Sequence, residues 1–265
     1  MIPYVSIDIE TTGLNPATCQ VLEIGAVIDD WETPVEDLPK FRAILKHDTI
    51  KGEPFALQMN ADLLKLIATI PATPLAREGG MIAFTVADPE IDALDPVNAM
   101  RKPSDVTDLF LMFLDKHGID TKKGFQPAGK NFASFDRPFL EAGVPGWQDD
   151  VKIKHRTIDP GSLFWRPGVE YIPDTKTCNE RANLPPLVAH TAVEDAIGVV
   201  NQIREHKRNC DRIARDLEFG TKFIEAFGLV QASIHPSLKV NVNDPIAMAR
   251  EIIRYNSAPP IGGAM

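Results

Sequence analysis

Residues 2–9 constrain the chain more than any other stretch. They read Ile-Pro-Tyr-Val-Ser-Ile-Asp-Ile, and Glu-Thr-Thr-Gly-Leu-Asn-Pro follows. The β-branched and aromatic residues predict a buried strand, and the turn formers behind them end it. Side chains of a strand alternate faces, so Asp8 and Glu10 point the same way. Two like charges on one face, at the end of a core strand, repel each other and resist burial unless a cation neutralises them. A hard divalent metal with oxygen ligands is the natural cation. The plainer alternative is a strand that frays after Ile7 and leaves both acids in water.

Composition narrows the field. The chain has 265 residues, 44% of them hydrophobic and 25% charged, the profile of a soluble globular protein. No apolar stretch approaches the ~20 residues that span a bilayer, so no membrane association is expected. Residues 1–10 show neither a basic region nor a cleavage site, which argues against a signal peptide. Cys19, Cys178 and Cys210 are scattered and make no Cys-x-x-Cys, so the expectation is a reducing, cytoplasmic setting and no thiolate zinc site. The net charge of −9 disfavours a protein that grips long duplex DNA through a basic face. It suits local contact with a few nucleotides or a small substrate.

Along the chain, residues 19–31 and 41–46 predict two further strands, joined to the first by short connections into an antiparallel meander. Residues 60–69 read as a short helix. The proline-rich stretch from 71 to 103 contains a loop. Residues 104–118 form a helix, with Ser104 as its cap and Gly118 as its stop. A short strand follows over 124–130, then a helix ending at Gly143. Residues 152–165 read as a strand running into a loop or helix. In that strand Lys152, Lys154 and Arg156 alternate, which suits a solvated edge. Thr191 and Glu194 make a capping box before an apolar helix. It puts His190 just outside the helix and Asp195 in its first turn, at the positive end where an acid is favoured. Beyond residue 205, Leu217, Phe219, Phe223, Ile224 and Phe227 recur at helical spacing. Asp244 and Pro245 start another helix, and residues 257–265 should form a mobile tail.

Three stretches now stand together: Asp-Ile-Glu-Thr-Thr-Gly at 8–13, Asn131 with Phe135-Asp136, and His-Thr-Ala-Val-Glu-Asp at 190–195. In this order they resemble the motifs of the DEDDh 3′–5′ exonuclease superfamily, which includes proofreading exonuclease subunits, oligoribonuclease and ribonuclease T. The resemblance spans most of residues 5–200, and the five fixed positions of the first motif make it the most specific. Lys130 departs from the His or Tyr of many relatives. The five-residue step from Asn131 to Asp136 is closer to oligoribonuclease-like and exonuclease-I-like members than to ribonuclease T.

The resemblance implies a ribonuclease H-like α/β fold. Its mixed five-stranded sheet has three antiparallel strands and two joined through helices, with helices on both faces. It implies a catalytic domain over residues 1–205, with a long insertion at about 47–102, and a helical extension over 206–265. It implies a hydrolase that needs two Mg²⁺ or Mn²⁺ ions, held by Asp8, Glu10, Asp136 and Asp195. Asp8 would bridge the ions, Glu10 and Asp195 would complete the nucleophile side, and Asp136 would lie near the second ion. His190 would be the general base that accepts a proton from the attacking water. Thr11, Thr12, Leu14 and Asn131 would bind the terminal nucleotide, with Leu14 wedged against its base. Phe132 and Phe135 are stacking candidates, although residues flanking a helix start are more often core. The expected partner is a single-stranded DNA or RNA 3′ end, and a homodimer through Phe219, Phe223 and Phe227 is a further expectation. The rival readings are a phosphodiesterase for short oligonucleotides or cyclic dinucleotides, and an inactive fold used for binding or scaffolding.

Overall fold

The computed structural model describes residues 1–70, 77–86, 100–186 and 191–233, with side chains for all of these except 85, 86, 100 and 219–233. The chain divides into two compact units, Met1–Asn209 and Cys210–Met265.

The first unit is an α/β structure on a mixed sheet. Strands β1 (Tyr4–Thr11), β2 (Val21–Asp29) and β3 (Lys40–His47) make the antiparallel meander that the short connections predict. β4 (Met81–Val86) and the two-residue β5 (Met100–Arg101) extend it, antiparallel, beyond β3. On the other side β6 (Pro127–Ala128) pairs with β1 in parallel, and the order is β5-β4-β3-β2-β1-β6. The sequence reading places no strand within 47–102, yet β4 and β5 arise there. The strand expected from residue 152 is reduced to two parallel bridges, Phe125 with Ile153 and Ala128 with Ile158.

Helices α1 (Pro54–Met59), α2 (Ala61–Thr69), α3 (Pro103–Lys116), α4 (Asp136–Gly143), α5 (Trp147–Asp150), α6 (Pro160–Leu163), α7 (Thr175–Ala182) and α8 (Ala192–Ser233), with a single 3-10 turn at Val35–Asp37, complete the described elements. Val5, Ile7, Ile9, Ala26, Phe41 and Ala43 pack with Val106, Phe110 and Leu114 of α3 and with Phe139 and Leu140 of α4. On the other face Tyr4 and Val27 meet Ala196, Val199, Val200 and Ile203 of α8. Leu22, Ile44, Ile82 and Phe84 meet Leu63 and Ile67 of α2. Because both faces are covered, β1 and β2 read as nearly continuous apolar runs rather than alternating ones.

Two helix ends bear on the sequence reading. Ser104 is not the cap of α3: Lys102 is, with Pro103 in the first helical position, where its missing N–H and fixed φ cost nothing. Lys102 N–H donates to Asp105 Oδ2 at 3.0 Å, and Ser104 N–H donates to Glu78 instead. Gly118, at φ 76°, lies just beyond this helix in the left-handed conformation that glycine adopts without strain. Of the expected α8 box, the half that Thr191 contributes forms, and the Glu194 carboxylate meets the Thr191 hydroxyl. Glu194 N–H donates to Thr191 Oγ1 at 3.2 Å, and that hydroxyl donates to Glu194 Oε2 at 2.9 Å.

Of the second unit, the described part is α8 from Cys210 to Ser233, with side chains for 210–218. Phe219, Phe223 and Phe227 lie on it, but their side chains fall outside the description, as do the helix expected at Asp244 and the tail. No helix among the described residues is long and apolar enough to cross a membrane.

Candidate metal centre

β1 presents Tyr4, Ser6, Asp8 and Glu10 on the face that α8 covers. Asp8 lies opposite Gly25 of β2 and Glu10 opposite Glu23; Thr11 then pairs with Val21, so Leu22 is the extra residue of a β-bulge. The start of α8 is seated on this face. Ser6 Oγ donates to the Ala196 carbonyl at 2.9 Å. Gly25 lies so close under the helix that a Cβ there would overlap the backbone of Ala192 and Val193. A strand glycine without a side chain therefore lets the first turn of α8 drop onto the sheet, and Asp195 comes down beside Asp8 and Glu10. One carboxylate oxygen from each of the three lies within 4.8 Å of the others. Gly25→Ala is expected to lift that turn, lowering stability by about 1–3 kcal/mol. Mn²⁺ affinity should fall with it, as Asp195 moves away. Melting in chelator and calorimetric Mn²⁺ titration check the two effects separately.

The electrostatics of the cluster match its crowding. Burial, then the charges of Asp136, Asp195, Glu10 and Glu23, holds the Asp8 carboxyl well above the usual range. Burial, then Asp195 and Glu23, pushes Glu10 up to about 7, against an opposing hydrogen bond from Asn60. Asp136, the first residue of α4 and 2% exposed, is also raised to about 7. Burial is the main cause, opposed by the backbone amides of Asp136 and Ile9 and reinforced by Glu10 and Asp159. Asp136 stands outside the three-carboxylate group but close enough for its charge to act on Asp8. Asp8, Glu10, Asp136 and Asp195 form a donor set of oxygens alone, which suits Mg²⁺ or Mn²⁺ rather than a softer metal.

Beside the acids lies a groove of about 350 Å³, lined among others by Glu10, Leu14, Phe55, Met59, Phe135 and Asp195. Leu14, Phe55 and Met59 are 74%, 73% and 71% exposed, so one wall is apolar and open while the acids line another part. Thr11 also lines the groove, but its hydroxyl donates to Gly13 O at 2.8 Å. Thr12 is fully buried, and its hydroxyl donates to Lys51 O at 2.6 Å. Both hydroxyls thus hold the turn after β1. Asn131 is exposed, takes a φ of 58°, and donates its backbone N–H to Asp159 Oδ2 at 2.9 Å. Phe132 is core, whereas Phe135 is partly buried and lines the groove. His190 lies outside the described residues.

The sequence reading missed Glu23, Gly25, Phe55 and Met59. The first two carried a signal: an acid and a glycine two apart inside an apolar strand raise the same question as Asp8 and Glu10. Phe55 and Met59 sit on a six-residue helix too short to show a period. Compared with protein-family models and with curated proteins, the chain has no match to either.

Proposed function

We propose that the chain is a metal-dependent 3′–5′ exonuclease of the DEDDh type, in a ribonuclease H-like fold, releasing nucleoside monophosphates from single-stranded ends. The observation that carries the reading is the approach of the Asp8, Glu10 and Asp195 oxygens within 4.8 Å of one another, with buried Asp136 acting on Asp8. A purely structural role leaves such a set unexplained, because like-charged carboxylates crowded together and partly withdrawn from water destabilise a fold that gives them no cation. Divalent ions, when bound, supply neutralisation of the phosphate and activation of water.

The protein's own residues supply the rest. Asp8, Glu10 and Asp195 hold the cations from β1 and α8, and Asp136 approaches from α4. The apolar wall of Leu14, Phe55 and Met59 accepts the face of a terminal base, and Phe135 adds an aromatic surface. His190, the residue before the α8 cap, acts as general base.

A groove at the small end of ligand-pocket volumes, on a chain of net charge −9, favours one narrower substrate class, short oligonucleotides or cyclic dinucleotides. One experiment tests both readings. Single-stranded DNA, RNA, dinucleotides and cyclic dinucleotides, labelled away from the 3′ end where they have one, are incubated with Mg²⁺, with Mn²⁺ and with chelator. Stepwise shortening from the 3′ end in metal alone is the expected result, and turnover of dinucleotides only selects the narrower reading. No hydrolysis of any substrate by metal-loaded protein refutes both. His190→Ala is expected to slow turnover about 10²–10⁴-fold with Mn²⁺ affinity nearly intact. Loss of affinity together with rate would make His190 a ligand instead.

A further inference from the structure

We propose that Glu23 is a positioning residue for this metal centre: it holds the first turn of α8, and with it Asp195, in place against Asp8 and Glu10. The inference rests on the metal-centre reading above. Glu23 is 0% exposed, in a strand whose other buried residues are apolar apart from Asp29 at its end. It stands directly opposite Glu10, two residues from the glycine on which Ala192 and Val193 rest. Its Oε1 is held at 2.7 Å by Arg42 Nε from β3. Its Oε2 is buried and has no hydrogen-bond partner among the described residues.

The start of α8 acts on this carboxylate. Burial raises its proton affinity most, Arg42 lowers it, the Glu194 charge raises it and the backbone amide of Ala192 lowers it, although Oε2 completes no hydrogen bond of normal geometry. A carboxylate under the positive end of a helix attracts that end. Glu23 falls outside the group of converging oxygens, and unlike Asp136 it has one carboxylate oxygen already held by a cationic side chain, Arg42, which places it as a support for the ligands. Nor does stability account for it: replacing a charge pair of this kind by well-packed apolar residues of similar volume is often neutral or stabilising. Its place, between a surface-reaching arginine and the turn that carries a metal ligand, is that of a group that orients ligands without touching the metal.

The test is calorimetric Mn²⁺ titration of the full chain, which needs no substrate. Glu23→Gln, nearly isosteric, is expected to bind Mn²⁺ about 10–100-fold more weakly than the parent, with unchanged helix content by circular dichroism. In an Asp195→Asn background the same substitution should change affinity less than about twofold, because the residue it positions no longer contributes. Unchanged affinity in the single variant overturns the proposal. So does full additivity in the double variant, which would mean that Glu23 acts by its charge alone. If Glu23→Gln does not fold, Arg42→Gln, which releases Oε1, carries the same pair of expectations. A parent that binds no Mn²⁺ removes the metal centre as well, whereas a parent that binds it and a Glu23→Gln that binds equally removes only the role of Glu23.

Discussion

Asp8→Asn is expected to abolish Mn²⁺-dependent turnover and to make the metal-free protein more stable, not less. Asp8 is raised by its burial and by four neighbouring acids, so removing its charge relieves repulsion across the cluster. A carboxyl carried from its ordinary 4.5 to about 7, as Glu10 is, implies a penalty of roughly 3 kcal/mol in metal-free protein once it is fully ionised. The sign follows from proton binding. Glu10 and Asp136 take up protons more readily folded than unfolded, so their contribution to stability is fully present below about pH 4. It is lost as pH rises through about 7. In chelator, the gap between Asp8→Asn and the parent should therefore widen from pH 4 to pH 8. Saturating Mn²⁺ should reverse the order, because the parent binds the ion through its ionised form. Thermal melts of both proteins across that range, with and without metal, give the result. A variant markedly less stable than the parent in chelator at pH 8 contradicts this account of the cluster.

Asp29→Ala is expected to cost about 3–5 kcal/mol, the usual range for breaking a buried charge pair. The melting temperature should fall by roughly 10 °C or more. Asp29 ends β2 with no exposed surface. Arg204 of α8 donates to it twice, from Nε at 3.0 Å and from Nη2 at 2.5 Å. Tyr4 OH donates to Oδ2 at 2.6 Å and Trp31 N–H to Oδ1 at 2.6 Å. Truncating the carboxylate leaves a mostly buried guanidinium, a phenol and an amide without their acceptor, and each loses more than one ordinary hydrogen bond contributes. Asp29→Leu with Arg204→Met should recover much of the loss, because a pair replaced together leaves no buried charge behind. Urea denaturation of the single and double variants measures both. A double variant no more stable than Asp29→Ala would place the cost in packing rather than in the stranded charge.

Much of the site was legible in local patterns. The Asp8 and Glu10 pair could be read because a strand has a period of two, and two residues of one sign at that spacing share a face whatever the fold. Asp195 could be placed in the first turn of a helix because the Thr191 and Glu194 box is local chemistry. The meander and the helices ending at Gly118 and Gly143 followed from short connections and terminators in the same way. The cap of α3 was misread from equally local signals, because Pro103 competed with Ser104 for the helix start.

Residues 47–102 were less legible because their elements are stabilised from elsewhere. β4 takes its register from β3, and α1 is too short for a period to appear. The strand expected after residue 151 is set by where the neighbouring chain lies, and it makes only two bridges.

By itself, then, the sequence determined which residues alternate, which helix begins with an acid, and that two carboxylates would share one strand face. Only the tertiary structure decided that Asp195, 185 positions beyond Glu10, would meet them. That meeting depends on β2 lying beside β1 with Gly25 opposite Asp8, on the absent side chain that lets α8 rest there, and on the Asp29–Arg204 pair holding the helix further along. Periodicity and capping act over a few residues and are written in the chain locally. The approach of a helix to a sheet is set by volumes and charges that come together only once the chain has folded.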